Sequence, residues 1–193
     1  MKMKSFVIAI RLFLFVTLLT GVAYPLVVTG ITQLMFSSKA NGSIIYKNNQ
    51  PIGSALIGQS FDSSEIYFSS RPSAIACNPL PSGGSNLGLT SSKLKEQFSQ
   101  REKQFTADNR LDSRQEVPSE MLFASASGLD PHISPEAALL QYERICKARH
   151  FSTGQAVLLK NIIGQLTEPP QFLCLGQKRI NVFLLNLETD KIK

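Results

Sequence analysis

The sequence lacks charge across its first long stretch. No charged residue lies between Arg11 and Lys39, and no acidic residue precedes Asp62. The net charge of +6 is therefore not a nucleic-acid footprint: past the N-terminus both signs are mixed, with no basic stripe and no aromatic ladder. Cysteine is scarce as well. Cys77, Cys146 and Cys174 are odd in number and lack CxxC spacing, which excludes a zinc knuckle or a dithiol redox motif. On an oxidising face one pair could join and leave one thiol over. Three separate thiols is the simpler expectation. His132 and His150 are the only histidines, too few and too isolated for a metal cluster. What is present is enough apolar material, 43% of 193 residues, for one compact domain and an appendage.

The uncharged stretch is a membrane signal. As a helix, Leu12 to Phe36 would reach roughly 37 Å, more than the ~30 Å hydrocarbon core. A cleaved signal peptide has a shorter apolar core and small residues at its cleavage site. This run instead ends in the bulky Gln33-Leu34-Met35-Phe36. Pro25 removes one helical hydrogen bond and frees the Gly21 carbonyl, which lipid cannot satisfy. Thr17, Thr20, Gly21, Thr29, Gly30 and Thr32 make the span rich in small and polar residues, the kind that let helix backbones approach closely in membranes. Thr17, Gly21 and Pro25 are thus expected to pack on other membrane helices. Lys2, Lys4 and Arg11 outweigh Lys39 and Lys47, which puts residues 1–11 in the cytoplasm, 12–36 across the membrane and 39–193 on the outer face.

The outer part reads as α+β, a small mixed α/β extracytoplasmic domain. Ser43–Tyr46 and Ser54–Ile57 are expected as short strands around Asn48-Asn49-Gln50-Pro51, and Ile66–Phe68 as a third. Asn78–Gly88 is loop, and Asp112–Pro118 a polar connection. Leu94, Phe98 and Phe105 line one face of a helix from about Ser92 to Arg110. Ser134 followed by Pro135 starts a second helix, with Ala138, Tyr142, Ile145 and Arg149 at helical spacing and Leu139 and Cys146 widening the stripe. Ser152 and Gln155 have capping-box spacing, Ala156, Leu159, Ile163 and Leu166 form the next buried face, and Pro169-Pro170 ends it. Arg179–Leu187 is expected as a core strand.

Catalytic patterns do not survive inspection. Ser92 and Lys95 have the Ser-x-x-Lys spacing of some acyl-transfer enzymes but lack the companion motifs. Asp130, His132 and Ser134 lie too close in sequence for the separate roles of a relay. Asp130-Pro131 reads as a turn, and Ser134 as a cap. Ser82-Gly83-Gly84-Ser85-Asn86 could cradle an anion, yet it lacks the lysine and the flanking strand and helix of a phosphate loop. Gly-rich sequence there suits a tight backbone path that uses positive φ.

Several segments are too unusual to be generic. Ala55-Leu56-Ile57-Gly58-Gln59-Ser60-Phe61 precedes Tyr67-Phe68 and Arg71-Pro72-Ser73-Ala74. Ser82-Gly83-Gly84-Ser85-Asn86-Leu87-Gly88 and Ala124–Pro135 follow. Thr20-Gly21 and Tyr24-Pro25-Leu26 lie in the span, and Arg179-Ile180-Asn181-Val182 and Leu185-Asn186-Leu187 near the end. In this order, over nearly the whole chain, they resemble the C subunit family of the Kdp potassium-transporting ATPase, KdpC. The resemblance implies a single-span accessory subunit of an ATP-driven, high-affinity potassium-uptake complex of the bacterial inner membrane, required for assembly and activity. Its implied partners are a channel-like potassium-translocating subunit and a P-type ATPase subunit, which handle potassium and ATP; no cofactor of its own and no nucleic acid are implied. Consistently, the only Asp-Lys pair, Asp190-Lys191, is followed by Ile192 rather than by a phosphorylation motif. The family is also described as a catalytic chaperone that raises ATP affinity, and Gln141 matches a family position tied to nucleotide contact. Topology places Gln141 on the outer face, away from ATP, which favours indirect coupling through the membrane helices. Arg71, Gly83, Gly84, Asn86 and Asp130 are expected in structural loops or partner contacts. A signal-anchored outer-face serine hydrolase using Ser92 and Lys95, and a ligand-sensing domain, are the rival readings.

Overall fold

The computed structural model describes residues 2–61, 65–112, 114–172 and 174–192. Asp62, named above as the first acidic residue, lies outside them. The chain divides into two compact units, Met1–Ser54 and Ala55–Lys193.

The first unit is a long helix and a hairpin. Helix α1 (Lys2–Leu18) runs through a π-helical turn (Leu19–Ala23) into α2 (Tyr24–Ala40). From Met3 to Ala40 it is long and apolar enough to cross a membrane, and none of its best span is buried in the chain. The π turn answers Pro25. The N–H of Tyr24 donates to the Leu19 carbonyl, one residue further back than an α-helix would use, so the ladder is re-registered before the proline. Hydroxyls shield other carbonyls: Thr20 Oγ1 donates to Val16 O at 2.7 Å and Thr32 Oγ1 to Val28 O at 2.9 Å. Phe36 leaves helical geometry (φ −141°, ψ 44°), so the helix kinks there before it continues to Ala40.

Strands β1 (Ile44–Lys47) and β2 (Gln50–Ser54) pair antiparallel. The second strand thus lies four residues earlier than expected: it ends at Ser54, and 55–57, expected as strand, are turn and bend. Asn48 and Asn49 both hold positive φ (52° and 64°), which closes a two-residue hairpin turn and leaves Gln50 and Pro51 free to be strand. Pro51 is tolerated because the ladder slips beside its partner Tyr46.

Helices make up most of the regular structure of the second unit: α3 (Ser92–Asn109), α4 (Ser119–Leu122), α5 (Pro135–Ala148), α6 (Thr153–Gln165) and α7 (Val182–Thr189), with β3 (His132–Ile133) and β4 (Ile180–Asn181) antiparallel. The helix starts follow the sequence. Ser134 Oγ accepts from the Ala137 N–H, and Ser152 with Gln155 completes the capping box. Helix α5 packs against α3 and α6, and α7 against α6. Their shared core holds Phe68, Phe105, Ile133, Ala138, Ile145, Leu159, Ile180 and Leu185. A fully buried Phe, Ile or Leu contributes about 1.5–3 kcal/mol.

Three expectations fail here. Arg179–Leu187 is not a strand: only Ile180 and Asn181 are, and Asn181 caps a helix by accepting from the Leu184 N–H. A short apolar run carries no period that separates buried strand from buried helix. Val182, Leu185, Asn186 and Thr189 recur at helical spacing and are all buried. Ile66–Phe68 is not a strand either, for a reason given below. On α5, Leu139 is exposed and Gln141 takes the buried place, because Gln141 lies three residues after Ala138 and four before Ile145.

Candidate functional site

Segment 65–69 turns at Glu65–Ile66 and bends at Tyr67 before it runs on through Phe68 and Ser69, and side chains rather than a neighbouring strand satisfy its backbone. Asn186 accepts from the Phe68 N–H at 2.8 Å and donates to the Phe68 carbonyl at 3.0 Å. Gln141 does the same to Ser69, at 2.7 and 3.2 Å. Arg144 donates to the carbonyls of Glu65 (2.8 Å) and Tyr67 (3.2 Å), and Arg149 to that of Ile66 (2.7 Å). Two amides from α5 and α7 therefore stand in for a sheet partner, which is why strand-like sequence forms no ladder here.

Gln141 is fully buried and its amide is saturated. Oε1 accepts from Ser69 N–H and from Arg144 at 3.0 Å; Nε2 donates to Ser69 O and to Ala137 O at 3.2 Å. That uses two donors and two lone pairs, the full capacity of the group. Next to it, Arg144 borders a cavity of about 500 Å³ between α3 and α5 that also presents Glu65, Asp108 and Lys147. Burial pushes the Arg144 guanidinium below its ordinary value, while the Asp108 and Glu65 carboxylates act against that. Arg149 is bonded to Asp190 at 2.8 Å and stacked 4.8 Å over the Tyr67 ring.

Two residues beyond Ser69, the chain enters a cluster of loops. Arg71 donates to Asp130 Oδ2 at 2.9 Å, and Asp130 Oδ1 accepts from the His132 N–H at 3.0 Å with His132 Nδ1 at 3.2 Å. The side-chain bond from His132 leads in holding the Asp130 carboxyl down at about 2; the His132 N–H and Arg71 add to it, and burial opposes. Main-chain bonds tie the other loops in: Gly58 N–H to Leu129 O (2.7 Å), Gly83 N–H to Ser127 O (3.1 Å) and Ser125 N–H to Pro72 O (3.0 Å). Ser73 Oγ donates to Gly128 O at 2.8 Å. Close approach is what demands glycine at 84, where a Cβ would sit 2.7 Å from Ala126 O. Positive φ is not the reason there. In the Ser82–Gly88 loop the left-handed residue is the exposed Asn86 (φ 51°), and Gly83 has open space where a Cβ would be.

In the first unit, Thr17, Gly21 and Pro25 are four apart and share one helix face. A Cβ on Gly21 would meet only Thr17 Cγ2, at 4.0 Å.

Comparison with known proteins settles the family. A family model described as "KdpC: K+-transporting ATPase, c chain" matches residues 6–191. The chain belongs to the KdpC family. A potassium-transporting ATPase KdpC subunit of Photorhabdus laumondii is 44% identical over 95% of this chain and 94% of its own length. That of Klebsiella pneumoniae (strain MGH 78578) is 44% identical over 96% of both, and that of Leptospira interrogans 43% over 95% and 92%. A role as a subunit in potassium transport, with one candidate membrane helix, accords with the expectation from sequence.

Within this KdpC-family chain, the expected residues Arg71, Gly83, Gly84 and Asp130 meet in one loop cluster, and Gln141 joins it through Ser69. Asn86 stands apart at the surface. Missed by the sequence were Asn186, Arg144, Arg149 and Gly58. Asn186 left a signal: a lone amide inside an apolar run, one turn from Val182. Ser92 and Lys95 are both exposed at the start of α3, and it is Ser91 that caps the helix. Among the described residues, no group of three His, Cys, Asp or Glu could hold a metal, and Cys77, Cys146 and Cys174 are free thiols.

Proposed function

We propose that this chain is a non-catalytic accessory subunit of an ATP-driven potassium-uptake complex in the bacterial inner membrane. Residues 1–11 lie in the cytoplasm, 12–36 span, and 39–193 form the outer-face portion. Its partners are a channel-like potassium-translocating subunit and a P-type ATPase subunit, which handle potassium and ATP. The observation that carries this is the membrane-length helix, along which Thr17, Gly21 and Pro25 are exposed, in a chain matched to KdpC along its length. Close helix packing needs such a face. The Lys2, Lys4 and Arg11 excess supports the orientation.

Gln141 does not fit a nucleotide contact. Each of its hydrogen-bonding positions is used inside the chain, and ATP could reach it only by breaking four bonds in the core. Any effect of this subunit on ATP affinity therefore runs through helix packing and through the loop cluster that Gln141, Arg71 and Asp130 hold in place. Arg71, Gly83, Gly84, Asn86 and Asp130 serve loop architecture and partner contact.

Extraction in mild detergent tests the reading: the two large membrane subunits come down with the tagged chain. Recovery of the chain alone, from membranes that contain both, would sink it. Orientation is tested by Lys191→Cys in a Cys174→Ser background with a membrane-impermeant thiol label. Intact cells label; labelling only after lysis reverses the topology.

A further inference from the structure

Between α6 and β4 the chain makes a hairpin with an unusual tip. Its stem is fixed by two bridges. Glu168 and Arg179 exchange main-chain bonds at 2.8 and 3.2 Å, and Gln171 and Leu175 exchange bonds at 2.9 Å each way. Pro169 and Pro170 stiffen the strand between them. At the tip Phe172 is 86% exposed and Leu175 58% exposed. Phe172 is held there at φ +52°, a conformation that a bulky residue rarely adopts. A folded domain gains nothing by fixing a phenyl ring in water.

Charge follows in a set order. From Pro169 to Leu187 there is no acidic residue, while Lys178 and Arg179 stand at the neck, Arg179 with Glu168 at 2.9 Å. The hairpin also springs from the point where the chain arrives from the anchor. Asn181, two residues beyond Arg179, donates to the carbonyl of Ala55, the first residue of the second unit, at 2.7 Å. Ala55 follows directly in the chain on Ser54, the last residue of the unit that carries the N-terminal helix. An aromatic tip above a basic neck is the arrangement that seats apolar side chains at the acyl boundary and cations among headgroups.

We propose that the 168–179 hairpin is a second membrane contact: Phe172 and Leu175 enter the interface of the outer leaflet while Lys178 meets anionic lipid headgroups. This reading needs the single span but not the ATPase partners, so it stands or falls separately from the assembly proposal.

The chain contains no tryptophan, so Phe172→Trp or Leu175→Trp reports from one site. The full-length chain is reconstituted in vesicles of phosphatidylcholine and phosphatidylglycerol (3:1), with and without brominated acyl chains. Trp at 172 and at 175 shifts to the blue and is quenched by brominated lipid; Trp at Leu139, exposed on α5, stays accessible to acrylamide. Lys178→Gln lowers the lipid-seated fraction relative to the free one about fivefold in these vesicles, and little in pure phosphatidylcholine. Water-like emission with full acrylamide access at both tip positions would overturn the proposal. So would a blue shift without bromolipid quenching that appears only when partner subunits are reconstituted too, since the tip would then seat on protein.

Discussion

Asn186→Leu tests the clamp on segment 65–69. The side chain is 1% exposed and Phe68 0% exposed, so water cannot replace the lost bonds. Leucine keeps the branched shape but is larger, so no cavity opens and overpacking adds to the polar penalty. Two backbone groups, the Phe68 N–H and C=O, lose their partners. Each buried orphan costs about 1–3 kcal/mol, or about 2–6 kcal/mol together. Leucine's greater apolar burial and helix propensity return part of that, so the net loss is about 2–4 kcal/mol. Against a domain stability of about 5–15 kcal/mol that is a large share. The assay is urea unfolding of the full chain in mild detergent, followed by tyrosine circular dichroism, with proteolysis near residue 66 as a local reporter. Asn186→Asp keeps an acceptor for the Phe68 N–H but cannot donate to its carbonyl once ionised. Its penalty therefore grows as pH rises above the usual carboxylate range. A loss below about 0.5 kcal/mol in Asn186→Leu, with unchanged proteolysis, would refute the idea that side-chain amides replace a strand here.

Gly84→Val should unfold the loop cluster or cut complex yield sharply, because its Cβ would lie 2.7 Å from Ala126 O; Gly83→Ala, in open space, should cost well under 1 kcal/mol by the same unfolding assay. Asp130 titrates at about 2 in the folded chain, below its unfolded value, so its contribution is full above the unfolded value near pH 4 and is lost as pH falls toward 2. Urea midpoints of wild type and Asp130→Asn should accordingly differ at pH 7 and draw together below pH 3, while potassium-over-sodium preference of the assembled complex stays unchanged; lost selectivity with intact assembly would place this loop at the ion. Gly21→Leu fills the Thr17–Pro25 face and should lower the yield of assembled complex in detergent, whereas wild-type yield would clear that face of packing.

Some of this protein was settled by local chemistry. An uncharged run longer than a bilayer needs no tertiary partner to declare itself, and caps such as Ser134 and Ser152 act within one turn, so the span and helices α3, α5 and α6 were legible. The family motifs were legible for the same reason: each is a contiguous string. What the tertiary structure decided were matters of partnership across long separations. Ile66–Phe68 carries strand-like residues, yet the chain turns at Ile66, and the side chains that bond the backbone of Phe68 and Ser69 are Asn186 and Gln141, 118 and 72 residues away. Val182–Leu187 is apolar but for Asn186, and only burial of one helical face, with Asn181 as its cap, separates helix from strand. Gly84 needs its missing Cβ because Ala126 O approaches, a fact about another loop. Gln141, matched to a family position from sequence, makes four bonds within the fold, to partners that no local string reveals. Sequence carries propensity and period; which polar groups are left over for a ligand or partner is known only once the fold has spent the rest.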